Sequence, residues 1–362
     1  MKKQLSIIAS AAVLSTAAYA ESNTISKAFE NGKTSGDLSA HYQSWDNDNT
    51  ADSGFSVGTI GVNYSTDSFS GLTLNTGFRA AHVFTEKEDN DSNDDIAVDS
   101  VMNVFNVSYA NNFGSLTVGR QEIDLEWLGD FNEAAVAAIT TIPSTTLVLG
   151  YTTRQAVAGN DEISKFADVT KDGAYVVDAK YEGIEGAVLN PYFYSAKDAA
   201  DFYGFKADYD NDMFGLTGHY AASSEDAAST KKDGSIMAFE ARTAVAGLSL
   251  SAGYISVDED GIGSMDSFGD NIDPTEELGD YVYAADSKTV YATAGYTIAD
   301  VELAALYAQA DSDVTNKKDK ELTVGAAYSF NDNLSAEVMY TDLSLESDED
   351  KSKLVANVTY EF

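Results

Sequence analysis

The stretch Phe105-Asn106-Val107-Ser108-Tyr109-Ala110-Asn111-Asn112-Phe113-Gly114-Ser115-Leu116-Thr117-Val118 carries the argument about the fold. Phe105, Val107 and Tyr109 alternate with polar Asn106 and Ser108. Two asparagines interrupt, and from Gly114 a second run alternates Leu116 and Val118 with Ser115 and Thr117. Side chains of a strand point to opposite faces in turn, so each run has one apolar and one polar face, and the break joins them as a hairpin. The unit recurs. Gly61 to Tyr64 leads through Ser65 to Ser70 into Gly71-Leu72-Thr73-Leu74, and similar units lie at Tyr175 to Phe193, Tyr203 to Tyr220, Phe239 to Tyr254, Val290 to Tyr307 and Leu322 to Tyr340. Short polar turns alternate with longer acidic connections along the chain, the pattern of strands that cross a membrane with short turns on one side and long loops on the other.

Read this way, the sequence predicts an all-β chain, a transmembrane antiparallel up-and-down β-barrel of about 18 strands, with 16 the alternative. The strands are placed at 35–45, 57–66, 71–83, 101–110, 114–123, 132–141, 145–154, 174–183, 186–196, 201–210, 215–223, 234–243, 247–257, 287–297, 300–309, 320–329, 333–342 and 353–362. Tyrosines sort by strand direction: descending strands end near Tyr64, Tyr109, Tyr181, Tyr209, Tyr296, Tyr328 and Tyr360. Rising ones carry Tyr42, Tyr151, Phe193, Tyr220, Tyr254, Tyr307 and Tyr340 toward their outer ends, as two aromatic girdles require. Leu354, Ala356, Val358, Tyr360 and Phe362 form a last alternating strand that resembles the terminal strand read by barrel-assembly machinery. Pro191 falls within a predicted strand and has no N–H to donate, so a bulge or register error is expected there.

Composition narrows the function. Lys2 and Lys3, an apolar stretch from Leu5 to Leu14 and Ala18-Tyr19-Ala20 read as an export signal over 1–20. A short periplasmic segment over 21–34 and a single barrel over 35–362 follow. Lys plus Arg number 22 against 59 Asp plus Glu, a formal net charge of −37, and a field of that sign repels nucleic acid. The absence of cysteine removes disulfides, thiolate metal sites and thiol nucleophiles. Only His41, His82 and His219 could serve as general bases near neutral pH, and none stands in a recognisable nucleophile motif, so no enzyme is expected.

Gly119-Arg120-Gln121, then Trp127-Leu128-Gly129-Asp130, Ala134 to Ala138 and Thr141-Ile142-Pro143 resemble the early segment of the Campylobacter-type major outer-membrane porins, relatives of the OprD-like channels. That resemblance implies an 18-stranded homotrimeric pore, narrowed by inner loops, that passes small hydrophilic solutes and ions. Outer-membrane lipid, lipopolysaccharide and the barrel-assembly machinery are the implied partners. The segment from Asp124 to Phe131 is short for a constriction loop, which leaves open whether the third or the seventh loop forms the eyelet. A structural or adhesive surface protein anchored by a barrel is the competing reading.

Alternation assigns Arg79, Arg154, Arg242, Lys180, Lys206, Asp178, Asp208, Glu240 and Glu337 to the lumen, with His41 and His219. Arg120 shares the phase of Leu116 and Val118 unless a bulge intervenes. The loop from Asp258 to Asp286 holds ten acids and no lysine or arginine. Asp266, Asp270, Asp273, Glu276 and Glu277, with Arg120 and Asp124, are the candidates for a cation-attracting constriction; a solvated surface loop is the plainer alternative. Basic side chains opposite acidic loops would orient charged solutes, or merely neutralise lumen carboxylates. No cofactor is expected beyond weak calcium binding by Asp89, Asp91, Asn93 and Asp95, whose oxygens suit a hard cation although the spacing fails the EF-hand pattern.

Overall fold

The computed structural model describes residues 22–227, 229–265 and 272–362, so the export signal over 1–20 lies outside the described residues. A short helix α1 (Ile25–Glu30) precedes β1 (Lys33–Asn47), β2 (Ser53–Ser65), β3 (Leu72–Glu86), β4 (Ser100–Asn111), β5 (Gly114–Glu122), β6 (Phe131–Ile139) and β7 (Thr145–Ala156). A two-residue strand β8 (Ala167–Asp168) leads to β9 (Ala174–Ile184), β10 (Ala187–Ala196), β11 (Ala200–Asp210), β12 (Gly215–Glu225), β13 (Gly234–Val245) and β14 (Leu248–Val257). After a short helix α2 (Gly279–Val282) come β15 (Ser287–Ile298), β16 (Val301–Ser312), β17 (Lys317–Asn331), β18 (Leu334–Leu345) and β19 (Lys351–Glu361). Consecutive long strands pair antiparallel throughout, and β19 returns to β1 from Asp37↔Glu361 to Asn47↔Lys351, closing an 18-stranded barrel. β8 is extra and pairs only with the outer end of β7. Closure leaves the sheet without an open edge, which the bilayer core demands because no water reaches it.

The turns explain why the hairpins close where they do. At three of them an asparagine side chain caps the next backbone amides: Asn111 accepts from Phe113 N, Asn211 from Met213 N, and Asn331 from Asn333 N. Ala246-Gly247 and Ala299-Asp300 have positive φ at both central residues, 53° and 83°, then 48° and 67°. That is the geometry of a type I′ turn, whose twist matches the strands it joins. Each of the 18 predicted strands is present, displaced by a few residues at its ends.

The two faces separate as alternation requires. Leu38, Tyr42, Val107, Tyr109, Tyr220, Tyr254, Leu303, Tyr340, Val358 and Tyr360 stand exposed on the outside, while His41, Thr59, Asn106, His219, Glu321 and Thr341 are buried on the inside. Among the described residues no helix is long and apolar enough to cross a membrane; the strands do so. Pro191 is accommodated differently from expectation. Pairing of β10 to β9 lapses at Asn190 and Pro191 but resumes in the same register at Tyr192↔Asp178, and the actual register shift lies between Ala187 and Leu189. On its other side Pro191 keeps its place opposite Phe205.

Candidate functional site

The long connections fold into the barrel. The third loop, L3 (residues 123–130), is only eight residues long, yet Trp127 is fully buried and its Nε1 donates to the Tyr192 hydroxyl at 2.7 Å. Tyr192 lies 2.8 Å from His219 Nε2, so an oxygen that accepts from the indole has its own proton left for the imidazole. Glu126 accepts from Lys206 Nζ at 3.1 and 3.3 Å and stands 4.0 Å from His219 Nδ1. L3 therefore spans inward from β5 and β6 to the wall of β10, β11 and β12. Burial pushes the Glu126 carboxyl up, opposed by Lys206, and burial with the nearby Glu122 charge raises Asp130 to about 6.

The seventh loop, L7 (residues 258–286), meets L3 inside the lumen. Met265, Leu278 and Val282 of L7 share one apolar cluster with Trp127 and Leu128 of L3 and with wall residues such as Phe202, Ile255 and Leu343. Its far side is clamped: the amides of Glu276 and Glu277 each donate at 2.9 Å to the fully buried Glu321 carboxylate, and Lys353 Nζ lies 2.6 Å from Glu277 Oε1. Lys353 also sits 5.0 Å from the Trp45 ring centroid. The third and the seventh loop both fold inward, and a single buried tryptophan lets so short an L3 reach L7.

A third inward layer comes from L2 (residues 87–99) and L4 (residues 157–173). Ile96 and Ile163 form a parallel bridge, Ile96 covers Phe55 and Val57 on the wall, and Gln43 Nε2 donates to Asp95 at 2.9 Å. Asn160 of L4 accepts from Arg79 at 2.8 Å.

Most residues assigned inward by alternation are there. Arg79 holds Asp37 at 2.6 Å, Lys206 holds Glu126, and Arg242 holds Asp210 at 2.6 Å with Glu240 at 3.5 Å and Asp208 at 4.0 Å. Asp178 points inward but is buried, accepting from Asn190 at 2.9 Å and Tyr194 at 3.2 Å, so it braces the wall; Lys180 is exposed. His41 contacts only amide side chains, Asn357 and Gln43, among its hydrogen bonds.

Arg154 needs correction. The pairing runs Ala134↔Thr152 and then Glu133↔Arg154, leaving Thr153 as an extra residue, so Arg154 shares the face of Glu133 and not that of buried Asn132 and Ala134. Arg120 follows its sequence phase and joins it. Its guanidinium contacts Glu133 at 2.8 Å and lies 4.3 Å from the Phe166 ring of L4. Both arginines clasp Glu133 at the barrel rim, so neither forms the eyelet. Asp124 is exposed on L3. Asp273 caps Thr275, Glu276 is buried on the wall and Glu277 is the clamp partner, while Asp266 and Asp270 lie outside the described residues.

Three of the residues named for calcium have protein partners. Asp91 accepts from the amides of Gly54 and Glu88, Asp95 is taken by Gln43, and Asn93 bonds Asn90. Asp91 thus holds backbone amides while Asp95 and Asn93 bond side chains, and among the described residues no group of three or more His, Cys, Asp or Glu side chains is placed to hold a metal ion. The residues alternation missed are Glu126, Glu321 and Lys353. Lys353 and Glu321 were legible, since Lys353 is opposite in phase to Leu354, Ala356 and Val358 and Glu321 to Leu322 and Val324; Glu126 sits on a loop, which carries no period.

A closed 18-stranded barrel, apolar outside and polar within, with three layers of loop turned into the lumen, defines an outer-membrane channel. The chain belongs to the Gram-negative porin family, whose profile matches residues 7–348. Its fold is similar to that of OccK3 (OpdO) of Pseudomonas aeruginosa, with TM-score 0.76 and 13% identity over 93% of this chain and 97% of that one. It is also similar to OccAB4 of Acinetobacter baumannii, with TM-score 0.75 and 14% identity over 92% and 98% of the two chains. OpdK of Pseudomonas aeruginosa, solved with vanillate, matches at TM-score 0.75 and 14% identity over 92% and 99%. No curated protein matches the chain in sequence. The protein is a non-enzymatic porin of the outer membrane that contacts lipid and passes small solutes, and it shares the fold of the Occ channels above.

Proposed function

We propose that the pore is cation-selective and passes small hydrophilic solutes by passive diffusion, working as a homotrimer of the Campylobacter type. Under this reading residues 1–20 direct export, the terminal strand engages the barrel-assembly machinery, and the outer loops face lipopolysaccharide. The observation that carries it is the balance of charge in the lumen. Arg79, Lys206, Arg242 and Lys353 are each held by a carboxylate within 3.1 Å, so basic groups are spent on pairs while acids remain in excess. The chain as a whole carries 59 acidic against 22 basic side chains. In a lumen walled by low-dielectric protein, that excess raises the local concentration of cations and lowers that of anions. L3 and L7 bring the acids close to the permeating ion by narrowing the path.

The test is the reversal potential of reconstituted protein in a planar bilayer under a potassium chloride gradient. A potential on the potassium side, with steps grouped in threes, supports the proposal. A potential on the chloride side refutes the selectivity, and single ungrouped steps refute the trimer.

A further inference from the structure

The helix α1 turns its large apolar side chains away from the protein. A helix this short does not hold its shape alone in water, so its contacts decide where it sits. It is tied to the periplasmic turn between β2 and β3 by polar groups. Ser22 N donates to Ser68 O at 2.8 Å, Asp67 N to Ala28 O at 2.9 Å, and Ser22 Oγ to Asp67 Oδ2 at 2.6 Å. The Thr24 hydroxyl caps the first turn by accepting from Lys27 N at 3.2 Å. Within α1 only Ala28 is buried. Ile25 and Phe29, four residues apart and therefore on one flank, are 61% and 50% exposed.

Tyr64 fixes where that flank lies. Ile60, Val62 and Tyr64 follow one another down the outer face of β2, Ile60 opposite the exposed Leu38 and Tyr64 opposite Thr34 and Thr76. The Tyr64 hydroxyl donates to Phe29 O at 2.5 Å, and its ring fills the space that a Cβ on Gly32 would take. The aromatic residue at the foot of the lipid-facing surface thus bonds directly to the helix.

We propose that α1 is an interfacial foot whose Ile25 and Phe29 enter the periplasmic leaflet of the outer membrane, at the boundary between phospholipid headgroups and acyl chains. Continuity with the lipid-contacting face of the barrel selects this occupant, since the apolar flank begins where Tyr64 ends that face. The rest of the helix suits it. Lys27 is exposed on the opposite flank, and Ser26 and Glu30 are exposed between the two, which gives the polar side that a helix lying in an interface turns to water. Because Asp67 and Ser68 belong to the β2–β3 turn, seating the helix in lipid also sets the depth of that turn in the leaflet.

The experiment places one tryptophan on the helix of the full barrel, in a Trp45→Phe/Trp127→Phe background that removes both native tryptophans. Its emission is compared in dioleoylphosphatidylcholine vesicles and in vesicles of the same lipid brominated just below the headgroup, with acrylamide as the aqueous quencher. Emission of Phe29→Trp should fall at least about twofold in brominated lipid and resist acrylamide, whereas Lys27→Trp should lose less than about a fifth to bromine and be quenched by acrylamide. Leu303→Trp, on the outer face of β16, supplies the quenching of a residue in direct lipid contact. Three results overturn the proposal. Phe29→Trp untouched by bromine and open to acrylamide puts the flank in water. Protection from both quenchers puts it against protein, a second copy of this chain included. Equal bromine quenching of Phe29→Trp and Lys27→Trp removes the distinction between the two flanks.

Discussion

Lys353→Met should loosen L7 without unfolding the barrel. The lysine and Glu277 are 3% and 9% exposed and 2.6 Å apart. At an effective dielectric constant of 20, Coulomb attraction at that separation is about 6 kcal/mol, much of it offset by desolvating both ions. Removing one partner leaves a carboxylate in a dry site, which costs about 3–5 kcal/mol. The strand ladder of β19 does not depend on this side chain, so the cost falls on the docking of L7 and not on closure of the barrel. A penalty of about 3 kcal/mol moves the docked–undocked equilibrium of L7 by more than about a hundredfold. Single-channel recording should show higher mean conductance with frequent transitions between levels. Lys353→Met/Glu277→Met, which replaces the pair by apolar side chains of similar length, should return much of the steady wild-type current, since a buried pair is often replaceable as a unit. Wild-type conductance and noise in the single variant would refute the clamp, as would a double variant noisier than the single.

Trp127→Ala should undock L3: truncating a fully buried tryptophan costs about 3–5 kcal/mol and removes the donor to Tyr192, so conductance should rise while urea resistance of the barrel changes little. A current unchanged from wild type would show that L3 does not narrow the path. Asp130 supplies a pH dependence. Its carboxyl is raised to about 6, so closed L3 holds a proton more readily than the free loop. Its contribution to closure is therefore most favourable below about pH 4 and is lost as pH rises through about 6. With Trp45→Phe as background, Trp127 fluorescence should report tighter L3 packing at pH 5 than at pH 8, and Asp130→Asn should abolish the difference; a pH response that survives the substitution locates the titration elsewhere.

The barrel was legible because a strand has a short, rigid period. Val107, Tyr109, Leu116 and Val118 announce their face two residues at a time, and closure follows from the need to pair every backbone group in hydrocarbon. Errors fall where one residue breaks that period. Thr153 is extra, so Arg154 turned to the other face, whereas Arg120 followed its count even though Gly119, at a φ of 123°, departs from regular strand geometry. The constriction was illegible for a different reason. A loop docks by tertiary contacts that leave no periodic trace, so eight residues of L3 could be judged only by length, and length misleads when a single indole reaches Tyr192 across the intervening strands. The acids of L7 show the same limit. Their charge suggested solvent or ions, yet Glu276 and Glu277 present their amides, not their carboxylates, to Glu321. Charge counts thus carry information on the field inside the pore, while the backbone decides which carboxylates remain to act on a permeating cation.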